Sequence, residues 1–173
     1  MVNLIKQQIL RVNGHIFACT QKTEKECFDR MIFSTNKLYS DKVTKVKKGD
    51  ILFLYNLDID ALYGPFIAKS DGHKDIIPEA WGGKYPYQVE VGKNGEIKTI
   101  RNVRKMLKII GIDWKNEIDE ERMHWLVNYL HHPEKFDLQN LNVNKLFSTT
   151  KIETRDEKPS LTSTTLWDYP RQS

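Results

Sequence analysis

The spacing of apolar positions changes along this chain, and the changes mark its elements. His15-Ile-Phe-Ala-Cys-Thr20 is an apolar run opened by Gly14 and predicts a strand. Thr23-Glu-Lys-Glu26 has the capping-box pattern, and Cys27, Phe28 and Met31 share one face of a helix from about Glu24 to Met31. Ile32-Phe33 is a short extended piece leading into a polar, basic loop over Ser34–Lys48. After a turn at Gly49-Asp50, Ile51-Leu-Phe-Leu-Tyr55 is a fully apolar run of strand length. A turn at Asn56–Asp60 leads to a strand over Leu62–Ala68, where Gly64 predicts a bulge or a close backbone approach. Ser70–Gly83 has no period and predicts a long loop. Tyr85–Val91 alternates, Lys93-Asn-Gly-Glu96 carries the favoured hairpin pair, and Ile97–Ile100 returns.

Helical spacing then takes over. Val103, Leu107 and Ile110 predict a helix ended by Gly111, and Met123, Leu126, Val127 and Leu130 line one side of a second over Asp119–His131. Spaced apolar residues over Phe136–Phe147 predict a last short helix, while residues 1–13 read as a partly apolar lead-in. The order of strand, helix, several strands and then helices predicts an α+β fold: a small, strongly bent sheet or open barrel, flanked by helices and followed by C-terminal helices. Residues 1–148 are expected to form that domain. Residues 149–173 read as a linker rich in Thr, Ser, Lys, Glu and Pro, followed by a tail.

Size and charge sharpen this picture. For 173 residues, surface scaling gives roughly 9,000 Å² folded against roughly 29,000 Å² unfolded, enough burial for a core without disulfide or metal. No apolar run approaches a membrane span, and Lys6, Gln7, Gln8 and Arg11 interrupt the N-terminal stretch, so no membrane partner and a cytoplasmic location are expected. Cys19 and Cys27 lack metal-ligand spacing and are expected to be reduced and packed. The net charge is +4. Residues 1–50 hold ten Lys and Arg against five Asp and Glu, and Lys37, Lys42, Lys45, Lys47 and Lys48 form the densest stretch. Such a stretch serves as a phosphate-contacting surface or as a solvated loop.

Candidate chemistry is sparse. The chain has no phosphate-cradling glycine loop, no nucleophile elbow and no His-Glu-x-x-His. His124, His131 and His132 read as helix-end residues, and Asp58, Asp60, Asp113, Glu117 and Asp119 as turn and helix-start acids. Neither catalysis, metal nor cofactor is expected. Trp81 is more informative: it stands in a glycine- and proline-rich loop outside any periodic face, as a plug for the barrel end or a wall of a ligand pocket. Trp114 and Trp125 read as packing residues.

Five segments in succession resemble a known group. They are Gly14–Thr20, Glu26-Cys-Phe-Asp-Arg-Met-Ile-Phe33, Val46-Lys-Lys-Gly-Asp-Ile-Leu-Phe-Leu-Tyr55, Leu62-Tyr-Gly-Pro-Phe-Ile-Ala-Lys-Ser70 and Ile77-Pro-Glu-Ala-Trp-Gly-Gly-Lys-Tyr-Pro-Tyr-Gln-Val89. Together they resemble the plant DCD domain and the related YTH and EVE domains of the PUA-like superfamily, over about residues 12–100. The resemblance implies a small barrel with a pocket for a flipped-out or single-stranded base, which in YTH relatives is a methylated adenine held by aromatic walls. By position, Phe33 followed by Ser34-Thr35 matches the first wall. Trp81 matches a later wall or lip, and Cys19-Thr20-Gln21 the base-contacting strand end. Two departures stand out: the first wall is Phe where most YTH relatives have Trp, and the usual loop Trp falls near Ile76. A DCD- or EVE-like pocket with another ligand stays open.

The tail, Ser163-Thr-Thr-Leu-Trp-Asp-Tyr-Pro-Arg-Gln-Ser173, resembles the opening of some prokaryotic DNA amino-methyltransferases. The methyl-donor site and the Pro-Pro-Tyr type motif are absent from the chain. The combined expectation is a non-enzymatic reader of DNA or RNA bearing a modified, possibly methylated, or flipped base. Its setting would be prokaryotic restriction–modification, with a methyltransferase or restriction partner. The lysines would contact phosphates. The alternatives are a protein-interaction or regulatory DCD-like module attached to or working with a methyltransferase, and a fragment of a longer enzyme.

Overall fold

A computed structural model describes residues 12–113 and 115–147. The lead-in, Trp114, the linker and the methyltransferase-like tail lie outside the described residues.

Six strands form a nearly closed, barrel-like sheet: β1 (Gly14–Cys19), β2 (Ile32–Thr35), β3 (Ile51–Asn56), β4 (Ala61–Ala68), β5 (His73–Lys74) and β6 (Tyr87–Arg101). Five run in the order β1-β3-β4-β6-β2, and β5 pairs with β6. β1 is parallel to β3, with Gly14 opposite Ile51 and Cys19 opposite Asn56. The other pairings are antiparallel. Helices α1 (Glu24–Arg30), α2 (Ser40–Thr44), α3 (Arg104–Ile109), α4 (Glu120–His131) and α5 (Val143–Leu146) flank the sheet. The fold is α+β, as the order of patterns predicts.

The apolar run of β3 is explained by two cores. Ile51, Phe53 and Tyr55 face outward and pack with Met106, Leu107, Leu126 and Leu130 of the helical layer. Leu52 and Leu54 face inward and pack with Phe17, Phe33, Phe66 and Val89. Period-two alternation thus buries both faces of one strand. The helical layer is tied to the sheet by Gly14 and Ile118, which exchange backbone hydrogen bonds of 3.0 and 2.7 Å. Within the helical layer, buried Arg122 joins the two helices: it donates from Nε to the Ile110 carbonyl at 2.6 Å and reaches Asp119 at 2.7 Å. Trp125 packs against Tyr129 and Phe136, as a packing residue would.

Three local expectations are corrected. Ser34–Lys48 is no loop: β2 continues to Thr35, a 3₁₀ turn covers Lys37–Tyr39 and α2 follows. Val43 and Val46 are fully buried and pin this segment onto the barrel. It packs so closely that a Cβ on Gly72 would collide with the Val43 carbonyl. Next, Lys93–Glu96 does not close a hairpin. β6 runs through it, and the register with β4 shifts between Gly64 and Phe66, so the extra residues bulge opposite Pro65, which has no N–H for the ladder. Gly64 shows both expected features, since a Cβ there would lie 2.6 Å from the Phe53 ring. Last, the capping box does not form. The Thr23 hydroxyl accepts from the Thr20 amide at 2.9 Å, and the Glu26 carboxylate is engaged elsewhere.

Candidate functional site

A cleft opens where β1 ends. Ala18, Cys19 and Thr20 form one side, Thr23 and Cys27 of α1 another, and Ser34 and Leu57 the floor, while Trp81 and Tyr85 stand across from them. It encloses about 390 Å³, the open solvent at its mouth included. The chain builds it by short-range bonding. The Leu57 amide donates to the Cys19 carbonyl at 2.9 Å, and the Thr20 carbonyl accepts from Thr23 and Glu24, turning the chain sharply from β1 into α1.

Trp81 is held from three directions. Its backbone amide donates to Glu26 Oε2 at 2.9 Å, and its indole Nε1 donates to the Thr23 carbonyl at 3.2 Å. Its ring meets Tyr85 edge-on, with centroids 5.9 Å apart and planes at 83°. The residue itself has φ of 48°, and Gly82 and Gly83 follow at 62° and 80°, a left-handed run that two glycines ease. At 8% exposure, Trp81 offers an edge and part of a face rather than a free ring.

Among the described residues, no charged side chain lines the cleft. Its side-chain polar groups include the hydroxyls of Thr20, Thr23, Ser34 and Tyr85. Burial, aided by the thiol of Cys27 and the carboxylates of Glu24 and Asp58, pushes the Cys19 thiol far up. Burial and the Glu24 charge push Cys27 up to about 12. Both thiols are therefore protonated at neutral pH and act as small, polarisable apolar surfaces rather than nucleophiles. Among the described residues no group of three or more His, Cys, Asp or Glu is placed to hold a metal ion. No helix among them is long and apolar enough to cross a membrane.

Of the residues expected at the site, Cys19, Thr20, Ser34 and Trp81 come together here. Phe33, Thr35 and Gln21 do not. Ser34 faces the cleft, so period-two alternation turns Phe33 and Thr35 away. Phe33 is fully buried against Phe66, centroids 4.9 Å apart, and Phe17 at 5.9 Å; it is a core residue and not a wall. Thr35 is buried and donates to the Tyr39 carbonyl at 3.1 Å. Gln21 is exposed, its amide bound to Asp58 at 2.8 Å. Ile76, where the further tryptophan would fall, packs on the inner core.

The lysine stretch is divided. Lys42 is buried, with its ammonium 5.2 Å from the centre of the Phe17 ring, so it presents no charge to a phosphate backbone. Lys45, Lys47 and Lys48 are exposed, but they precede Ile51, at the opposite end of β3 from Asn56 and Leu57. That separates them from the cleft by about 17 Å at ~3.3 Å per residue. Lys37 differs: it follows Thr35, which pairs with Tyr87 beside the Tyr85 wall. Thr23, Cys27, Leu57 and Tyr85 were not anticipated at the site. Tyr85 carried a signal, an aromatic four positions beyond Trp81 across a Gly-Gly pair; Leu57, one residue past β3, carried none.

Comparison with known proteins follows this geometry. Residues 13–149 match the Development and cell death domain family. B2 protein of Daucus carota is 38% identical over 87 residues, covering 46% of this chain and 42% of that protein. DCD domain-containing protein NRP-A of Glycine max is 36% identical over 87 residues, covering 46% of this chain and 24% of that protein. The chain therefore spans less than half of these relatives. The YTH domain of Zygosaccharomyces rouxii MRB1 protein, solved in complex with N6-methyladenosine RNA, superposes with a TM-score of 0.51 at 14% identity, over 69% of this chain and 86% of that one. The Mmi1 YTH domain gives 0.56 at 10% identity, over 72% and 78%. At such identities the likeness is one of fold. The named relatives are plant proteins and lend no support to a prokaryotic restriction–modification setting. With most of its length matched, the chain belongs to the Development and cell death domain family.

Proposed function

We propose that this chain is a nucleic-acid reader that takes one base of a single strand into the cleft between Trp81–Tyr85 and Ala18–Thr20, without chemistry on it. The observation that carries this reading is the cleft itself: two aromatic rings set at a right angle over a neutral, partly apolar floor. A base offers a π-face to a ring and donor and acceptor edges to hydroxyls such as those of Thr20, Thr23 and Ser34. A methyl group on the base would pack on the neutral thiols of Cys19 and Cys27. The fold's likeness to YTH domains solved with N6-methyladenosine RNA supports a methylated base as ligand and RNA as the first strand to try. A methyltransferase or restriction partner rests on Ser163–Ser173 alone, and a cytoplasmic location on composition alone.

The test is a titration of the chain with matched single strands, plain and adenine-methylated, beside Ser34→Leu. Leucine there fills the cleft from β2 while leaving the Trp81 contacts in place. Loss of binding in Ser34→Leu, in a variant with unchanged unfolding, supports the reading. Unchanged binding contradicts it. If no strand binds at low salt, the protein-interaction reading takes its place.

A further inference from the structure

We propose that Lys22, Lys37 and Lys84 form the phosphate-contacting rim of this cleft, so that a bound strand is tracked at this end of the barrel and not over Lys45, Lys47 and Lys48. The inference rests on the proposed reader function. Lys22 lies between Thr20 and Thr23, and Lys84 directly precedes Tyr85, so both are rooted in the cleft walls. The Lys84 amide donates to the Trp81 carbonyl at 3.3 Å, which anchors its backbone to the aromatic loop. Lys37 opens the 3₁₀ turn that follows β2, the strand that supplies Ser34. All three are exposed.

What the mouth offers to a phosphate depends on which cations are already paired. The nearby acids mostly have partners within the fold. Glu24 accepts from Asn56 at 3.0 Å, Asp58 from the Gln21 amide at 2.8 Å, and Glu26 from Trp81 and from Arg30 at 3.1 Å. Glu79 is the most open of them and lies 3.9 Å from Arg30. Lys25 pairs with Asp29. Among the described residues, Lys22, Lys37 and Lys84 form no ion pair. Glu79 and Asp58 stay exposed beside them, and what sets Lys22, Lys37 and Lys84 apart is that their exposed ammonium groups are not held in an ion pair. Mobile ammonium groups around a neutral pocket suit a polyanion whose base enters the pocket and whose phosphates stay in water.

The experiment measures anisotropy of a labelled single-stranded oligonucleotide, RNA in one arm and DNA in the other, across several salt concentrations. It compares the unaltered chain with Lys22→Gln/Lys37→Gln/Lys84→Gln and with Lys45→Gln/Lys47→Gln/Lys48→Gln. The rim variant is expected to lose about tenfold or more in affinity at low salt, and its salt slope to fall by about two, from ~0.7 per lost contact on a single strand. Its preference between methylated and plain strands is expected to stay, because the pocket is untouched. The second variant is expected to bind as the unaltered chain does. Rim and unaltered chains with the same affinity and slope would overturn the rim alone. An unaltered chain that binds neither strand would overturn both the rim and the reader function.

Discussion

Glu26 and Trp81 are 55 positions apart in sequence, yet the Trp81 amide donates to Glu26 Oε2 at 2.9 Å. One carboxylate of α1 thereby holds the loop that carries the cleft's largest ring, while also pairing with Arg30. The left-handed Trp81-Gly82-Gly83 run needs such an anchor, because a tryptophan does not favour that conformation unaided. Glu26→Ala is expected to cost about 1–2 kcal/mol, the range for a partly exposed hydrogen bond to a charged group. It should also make Trp81 more accessible to a fluorescence quencher. A variant with unchanged unfolding and unchanged quenching would contradict this role.

Phe33 separates a core residue from a pocket wall. Phe33→Ala is expected to lose about 3–5 kcal/mol in denaturant unfolding, as for other buried aromatic truncations. Phe33→Leu keeps most of the volume and is expected to leave oligonucleotide affinity unchanged. A folded Phe33→Leu chain with strongly weakened binding would return Phe33 to the site.

Lys42 makes stability depend on pH. Burial, with Lys45 adding to it, lowers its ammonium to about 7, against an opposing pull from Asp113 and Glu117. In the unfolded chain the group keeps its ordinary, higher value. Between about pH 7 and the ordinary lysine range, the unfolded state therefore binds more protons, and stability rises with pH across that window. The destabilisation is full below pH 7, where both states carry the charge. Thermal unfolding from pH 7 to 10 is expected to show this rise, and Lys42→Met is expected to flatten it. An equal rise in Lys42→Met would assign it to other groups.

The two thiols give a direct probe of the cleft walls. Cys19 and Cys27 are buried with raised thiol values, so alkylation at pH 8 is expected to be slow in the folded chain and fast for both in denaturant. Rapid labelling of the folded chain would mean that the cleft walls are open to water and that thiolate forms there.

Much of the barrel is legible in the pattern, because burial on two faces leaves a continuous apolar run in β3 and burial of one side leaves a helical period in α4. Pairings are not legible in the same way. That β1 lies parallel to β3, or that the extra residues of β6 bulge opposite Pro65, depends on contacts far apart in sequence. Facing is lost where every neighbour is apolar: Ile32-Phe33 does not say which side meets the cleft, and only Ser34 does so once β2 is paired. Lys42 reads as surface because Val43 and Val46, which bury its turn, are isolated apolar marks in a polar stretch whose other large apolar residue, Leu38, is exposed. Trp81 is legible because it stands in an aperiodic loop, outside any periodic apolar face, whereas Cys19, Thr20 and Ser34 are legible only through the resemblance.

The most direct test of the central claim is the affinity of the chain for one single-stranded RNA, made with and without a methyl group on a single adenine, at fixed low salt. Tighter binding of the methylated strand is expected, with quenching of tryptophan fluorescence and loss of the preference in Ser34→Leu. Absence of binding to either strand, or equal binding that Ser34→Leu leaves unchanged, would contradict it.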